Sequence, residues 1–383
     1  MFGDTILTFI FYIFYIFMVM VSYNTNHRQI NWFFVISLSL ILGLRGCGID
    51  TLGYREIFRF YYNIDAGLFN PLYYNPYFNP LYDIDFHIEW FYLVLIKIIK
   101  LFSSSSVWLF LIADFISACA LDNFIRRFSR REKVFVIFFF FTTLLFVHMF
   151  NIMRQVLSFL LFLNIIDFLK DRKWKPYFAC VIFLYFFFHH SAILLIVLYF
   201  FAHKDVLKSK LFQVGLYTIV VIFSVVFINQ LMIIMDGLFM LVGGDFSKAQ
   251  YLNSETQVLD MRSSALTIIF YFFVMLYMII HSDSFKKAYG TMGVIMYNIA
   301  YMGMLVVNVA YNRGVERVNV YFFSIVFIVL GLMTYQSLYG YFKKTPLMTL
   351  YTFGLFILYL AWFANAVLQG AAGCAPYFLN PEI

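Results

Sequence analysis

A small set of ionisable residues stands at the edges of apolar runs in this chain, and their types point to phosphate chemistry. Arg45 closes one run and leads into GCGID, which sets it five residues from Asp50 around two glycines. Arg154 lies in the short NIMRQ turn between two further runs, and His189 and His190 sit at the tip joining another pair. Arg313, Glu316 and Arg317 fall in YNRGVERVNVYF, just before a late apolar run. The planar guanidinium fork matches two phosphate oxygens at once. A histidine titrates near neutral pH and can serve as a general base, and Asp50 could do the same or orient Arg45. Such a set suits an anionic, phosphate-bearing amphiphile. No Walker loop, G-x-G-x-x-G or H-E-x-x-H occurs, and Cys47, Cys119, Cys180 and Cys374 have no metal-ligand spacing, so nucleotide and zinc chemistry have no support.

The elements that hold these residues belong in a membrane. Of 383 residues, 63% are hydrophobic and 12% charged, with mean hydropathy +0.84. A soluble domain is ~45–50% apolar and leaves about a quarter of its unfolded surface exposed at this size, so the surplus must face lipid. Composition thereby excludes a soluble enzyme, a nucleic-acid-binding domain and a secreted disulfide scaffold. The 52 Phe and 29 Tyr reflect compositional bias rather than a ligand box. Apolar runs at 5–23, 31–44, 106–125, 134–149, 155–169, 177–188, 191–203, 212–235, 265–281, 289–309, 318–340 and 347–367 predict an all-α polytopic membrane protein of roughly eleven or twelve spans, residues 1–383 forming one domain. The first run reads as a membrane helix rather than a cleavable signal, since no basic segment precedes it.

Lysine and arginine orient the spans. The segments 126–133, 170–175, 203–210, 281–287 and 342–344, with Arg28, hold 17 of the 27 basic residues and belong in the cytoplasm. Residues 45–105, 236–264 and 309–317 then lie outside, as do both termini, provided that Glu89–Phe102 is a juxtamembrane helix and does not cross. The outer loop 45–105 carries three Asn-Pro pairs that enforce turns and extended pieces, and its aromatics are either interfacial anchors or sugar-stacking surfaces. The chemistry-bearing residues all fall on this outer side. Snorkelling explains each arginine singly, but not their recurrence on a face otherwise poor in basic residues. Cys47 and Cys374 share that compartment, where two free thiols are expected rather than a bond.

In order and spacing these residues resemble the EpsG family and the Wzy-type O-antigen polymerases. The matching motifs are R-x-x-G-x-D-x-x-x-Y (Arg45, Gly48, Asp50, Tyr54), an acidic residue opening an apolar segment (Glu89), N-x-x-R-Q (Asn151, Arg154, Gln155), F-H-x-S-A (Phe188, His189, Ser191, Ala192) and E-R-x-x-x-Y-F (Glu316, Arg317, Tyr321, Phe322). Cys47 stands where the family often has an aliphatic residue, and His190 adds a second histidine, the family spacing favouring His189. The resemblance implies polymerisation of oligosaccharide repeat units carried on undecaprenyl diphosphate, at the outer face of the bacterial cytoplasmic membrane. It implies Arg154 and Arg317, with Arg45 third, on the diphosphate, and His189 or Asp50 as base. Tyr54, Glu89, Asn151, Gln155, His190, Arg313, Glu316 and Tyr321 take supporting places. No metal or other cofactor is implied, and the partners are the lipid-linked oligosaccharide, membrane lipids and a chain-length regulator. A flippase or exporter of the same lipid-linked sugars and a membrane-bound O-acyltransferase are the competing classes.

The charge pattern makes a topological prediction. A probe at Asn70→Cys is expected to react with an impermeant thiol reagent added from outside, and one at Ser129→Cys is not. The measurement is labelling on whole cells, and the reverse pattern would overturn the orientation.

Overall fold

In the computed structural model, residues 5–25, 28–60, 72–73, 86–87, 89–226, 265–307, 319–340 and 345–380 are described. The protein is an all-α polytopic membrane protein. Its described helices are α1 (Thr5–Thr25), α2 (Arg28–Gly43), α3 (Thr51–Phe60), α4 (Trp90–Lys100), α5 (Val107–Ile125), α6 (Arg130–Thr142), α7 (Leu145–Met149), α8 (Met153–Lys170), α9 (Trp174–Phe187), α10 (Leu195–Phe201), α11 (Lys210–Val226), α12 (Ala265–Val307), α13 (Asn319–Leu338) and α14 (Pro346–Leu368). Five of them, α1, α5, α12, α13 and α14, are long and apolar enough to cross a bilayer alone. A two-residue antiparallel pair, Leu72–Tyr73 with Phe86–His87, completes the described elements of the 45–105 segment. The loop 236–264 lies outside the described residues.

Two compact units are formed, one from Met1–Tyr73, Phe86–Phe200 and Phe327–Ile383, the other from Tyr74–Asp85 and Phe201–Val326. In the first, α2 packs on α5, α5 on α8, α1 on α6, and α14 on α1 and α6. The division of α1 between faces explains its place. Ile6, Leu7, Ile10, Phe14 and Phe17 are exposed for lipid, while Tyr12, Tyr15, Val19 and Tyr23 are buried. Since helices in lipid gain little from burying apolar surface against one another, close packing and polar contacts must hold them. The Tyr23 hydroxyl donates to Asp122 on α5 at 2.6 Å, and the Tyr12 hydroxyl donates to the Cys374 carbonyl at 2.8 Å. Gly43 lets α2 approach α5 closely, because a Cβ there would lie 2.7 Å from the Leu111 Cα.

Several runs depart from the sequence reading. Residues 134–149 are not one helix: Leu144 at φ 70° separates α6 from α7. The run 191–203 begins as a 3-10 turn, His190–Leu194, before α10. The first part of the 45–105 segment, expected as an outer loop, is helical, as α3, where Tyr54 and Phe58 turn inward and Leu52 outward. α4 extends only 11 residues, ~16 Å at 1.5 Å per residue, about half the hydrocarbon thickness. In the second unit the basic segment 281–287 is helical rather than a loop, and α12 is broken at Gly290 (φ 56°, ψ −140°). Lys210 Nζ donates to the Ile280 carbonyl, Lys286 to Asp205 and the Leu207 carbonyl, and Asn298 to the Ala202 and Lys204 carbonyls. Both arms of α12 therefore meet the same 202–210 segment, and the chain folds back at Gly290.

The C-terminal tail seals the end of α2. Gly46 N–H donates to the Phe378 carbonyl, Ile49 N–H to that of Ala372, and Asn380 N–H to that of Leu44. Cys47 and Cys374 are buried free thiols within this seam. Burial first, and the neighbouring Cys47 second, push the Cys374 thiol up to about 12.

Gly43→Val is expected to force α2 from α5 at a cost of about 1–3 kcal/mol, the usual penalty of overpacking. Thermal unfolding in detergent should show the loss; an unchanged midpoint would mean that this contact is not tight.

Candidate functional site

Arg45 is a charged residue whose side chain is 0% exposed. Its Nη1 donates to Asp114 Oδ2 on α5 at 2.5 Å and also to the Leu42 carbonyl, which closes the end of α2. Its guanidinium lies 4.9 Å from the Phe110 ring centre and 5.8 Å from that of Phe150, with Nη2 3.8 Å from Met153 Sδ. Asp114 is equally buried. Sequence reasoning named Arg45 and passed over Asp114, although a lone carboxylate in WLFLIADFISA is itself the signal, since a charge at that depth requires a partner.

Above this pair the chain makes the turn that carries Asp50. Gly48 adopts φ 110°, and a Cβ there would collide with the Phe150 carbonyl oxygen, so the turn rests directly on the α7–α8 connection. Asp50 N–H donates to Asn151 Oδ1 at 3.2 Å, which joins two of the predicted residues. Asp50 then precedes α3, whose first turn aims Tyr54 at α8.

Arg154 occupies the first turn of α8 and organises the rest. Its Nε donates to the Tyr54 hydroxyl at 3.2 Å, its Nη1 donates to Glu89 Oε2, and its guanidinium lies 5.7 Å from the Tyr54 ring centre. Glu89 is the N-cap of α4 and only 3% of its side chain is exposed, against 23% for Arg154. Burial on its own would raise the Glu89 carboxyl, but Arg154, then His189 and His190, hold it below its ordinary 4.5. His190 Nδ1 stands 3.7 Å from Glu89 Oε1 with half its side chain open. Gln155 Nε2 donates to Ser191 Oγ at 3.1 Å, and Ser191 Oγ lies 2.5 Å from His189 Nδ1. Beneath Arg154 a small cleft is lined by Tyr54, Ile57, Tyr92, Ile96 and Leu109.

Asp50, Tyr54, Glu89, Asn151, Arg154, Gln155, His189 and His190 thus converge on one end of the first unit. Arg45 supports them from below. Arg313, Glu316 and Arg317 lie outside the described residues, and Tyr321 is fully buried in α13 within the second unit. Tyr92, absent from the sequence reading, carries no motif and is found only through the cleft. Among the described residues, no three His, Cys, Asp or Glu side chains gather to hold a metal ion.

The basic end of the same unit is remote. There Arg127 pairs with Asp167 at 2.7 Å and Arg126 with Asp122 at 2.6 Å. α8 separates Arg154 from Asp167 and Lys170, and its 18 residues span ~27 Å, close to the thickness of the hydrocarbon core.

A multi-pass helical membrane protein with an arginine, carboxylate and histidine cluster at one end is the class these observations define. Residues 30–379 match the EpsG family, and the chain belongs to it. That family is one of Wzy-like polymerases, so the protein's general role is in polysaccharide biosynthesis, as a polymerase acting in a membrane. No curated protein and no solved structure matches the chain.

The Glu89 shift sets a pH dependence of stability. Because the folded carboxyl titrates below its ordinary value, its stabilisation is complete above about pH 4.5 and is lost as the pH falls through the folded value. Unfolding midpoints across pH 3 to 7 should drop on the acid side in the wild type. Glu89→Gln is expected to lie lower at neutral pH and to flatten that acid drop, and an unaltered acid slope would remove Glu89 as its source.

Proposed function

We propose that this protein polymerises undecaprenyl-diphosphate-linked oligosaccharide repeat units into a surface polysaccharide at the outer face of the bacterial cytoplasmic membrane. The observation that carries the reading is Arg154: partly open, held by Glu89 and Tyr54, beside the histidines, and a bilayer's thickness from the basic loops. Placing those loops in the cytoplasm puts the cluster outside.

The chemistry moves a growing glycan from its lipid diphosphate to a hydroxyl of a new lipid-linked unit. The anomeric C–O bond breaks with its electron pair going to the diphosphate, a new C–O bond forms to the acceptor oxygen, and the acceptor proton passes to a base. Charge builds on the leaving diphosphate, where a fixed donor stabilises the transition state most. Arg154 gives Nε to Tyr54 and Nη1 to Glu89, which leaves Nη2 for a phosphate oxygen. Arg317 is the second diphosphate arginine in this reading, with Arg313, Glu316 and Tyr321 supporting it. Arg45, closed by Asp114, has a positioning part, reaching Arg154 through Met153. Asp50, whose N–H is bound by Asn151, and His189, which acts on Glu89, are the groups this reading uses to handle the proton. A chain-length regulator is the partner protein this activity would use.

Deleting the gene and resolving the surface polysaccharide by gel tests the reading. A single repeat in place of a ladder is expected, and an intact ladder would sink it. Complementation with Arg154→Lys should lower polymer by ~10²–10³, since an ammonium cannot make the paired planar contact. A lysine that only snorkels would restore the ladder fully.

A further inference from the structure

We infer that His189 acts as a fixed hydrogen-bond donor to the departing diphosphate and not as the base, and that Ser191 and Gln155 are the positioning residues that hold it in that state. The inference deepens the proposed polymerase reading and rests on it.

The geometry starts from a donor whose direction is not in question. The backbone N–H of Ser191 donates to His189 Nδ1 at 3.2 Å. A backbone amide only donates, so Nδ1 offers its lone pair and carries no proton. The Ser191 hydroxyl, 2.5 Å from the same Nδ1, receives a hydrogen bond from Gln155 Nε2 at 3.1 Å. Since Nδ1 carries no proton, it can only accept from this hydroxyl, whose hydrogen therefore turns to it. Two donors therefore converge on Nδ1, and the ring proton is placed on Nε2. His189 is extended (φ −165°) just after α9, and the 3-10 turn that begins at His190 holds the Ser191 amide in place beneath it.

The consequence is chemical. A neutral imidazole has one lone pair, and here it is occupied on Nδ1, while Nε2 already bears hydrogen. In this arrangement the ring cannot take the acceptor hydroxyl's proton at Nε2, but it can donate from Nε2 to an oxygen on which charge is growing. The charged and titratable groups around it are Glu89 at the α4 N-cap, Arg154 on α8 beyond Glu89, and His190 beside it. Glu89, held below the ordinary carboxylate range by Arg154, is a poor base. The proton then goes to Asp50, whose backbone N–H is held by the side chain of Asn151, three residues before Arg154. The balance is then complete: the acceptor O–H loses its proton to Asp50, its oxygen bonds the anomeric carbon, and the bond electrons leave on a diphosphate held by Arg154 and His189 Nε2–H.

Side-chain geometry gives a decisive substitution set. In glutamine the terminal amide nitrogen falls near the place of Nε2 and donates without being able to act as a base; in asparagine the amide reaches only to the place of Nδ1. In the deletion strain complemented at matched protein levels, His189→Gln is expected to keep the ladder within about tenfold of wild type, while His189→Asn and His189→Ala should lose ~10²–10³ of polymer. Loss in His189→Gln as deep as in His189→Ala would overturn the donor role, and wild-type ladders from all three would remove His189 from the mechanism. Histidine ¹⁵N spectra of the purified wild type, with His189 assigned by difference from His189→Gln, should show Nε2 protonated and Nδ1 bare at pH 7. The opposite tautomer would also overturn the inference. Failure of the wild-type gene itself to restore a ladder would instead strike the polymerase reading.

Discussion

The end of the first unit that carries the candidate site depends on a salt bridge that touches neither water nor lipid. Arg45 and Asp114 are both completely buried, and a lone charge at that depth would cost several kcal/mol. Neither residue is tolerable without the other, and this mutual need fixes where α2 ends against α5. Arg45 also binds the Leu42 carbonyl, lies against Phe110 and Phe150, and reaches Met153. One guanidinium thereby sets the relative height of α2, α5 and the α7–α8 connection. The tail residues Phe378 and Asn380 then close over it through the Gly46 amide and the Leu44 carbonyl.

From that level the functional groups follow by short steps. Met153 is held by Arg45, so Arg154 leaves the next position of α8 on the open side. Gly48 rests on Phe150, so Asp50 meets Asn151 and α3 starts where Tyr54 can reach Arg154. Gln155, one residue further on, faces Ser191 instead. Three consecutive residues of α8 thus serve three different neighbours, because successive helical side chains point about 100° apart. A cluster built on the first turn of a packed helix inherits the rigidity of the bundle.

The sequence exposed those parts of this arrangement in which a costly residue stood at the edge of an apolar run. Arg154, Glu89 and His189 were legible for that reason, and so was the overall helical class. Asp114 does not stand at such an edge, although a buried carboxylate inside a span carries the same physical message as an arginine at a helix end. α3 was hidden by the Asn-Pro pairs that follow it, which say nothing about the ten residues before them. The break at Leu144 has no proline or glycine to mark it, since tertiary packing holds a leucine at φ 70°. HSDSFKK read as a loop because it is charged, yet the helix continues through it and the chain turns only at Gly290, where a positive φ comes easily.

The Glu89–Arg154 pair shows how such a site can wait for its substrate. An arginine near the membrane interface with no counter-ion would draw in water or turn away toward it. Glu89 prevents this by neutralising Arg154 and fixing its plane, while Tyr54 holds the second edge. In the proposed reading, the guanidinium would then already be oriented for a diphosphate, so little reorganisation would be left for the moment of reaction. The same carboxylate limits ground-state affinity, because it competes with phosphate for the cation. As the anomeric bond lengthens and negative charge grows on the leaving oxygen, the balance shifts toward the substrate. In the proposed reaction, an arginine shared with a carboxylate would therefore favour the transition state over the resting lipid diphosphate, and this differential, more than tight binding, is what a polymerase that must release its carrier after every cycle would require.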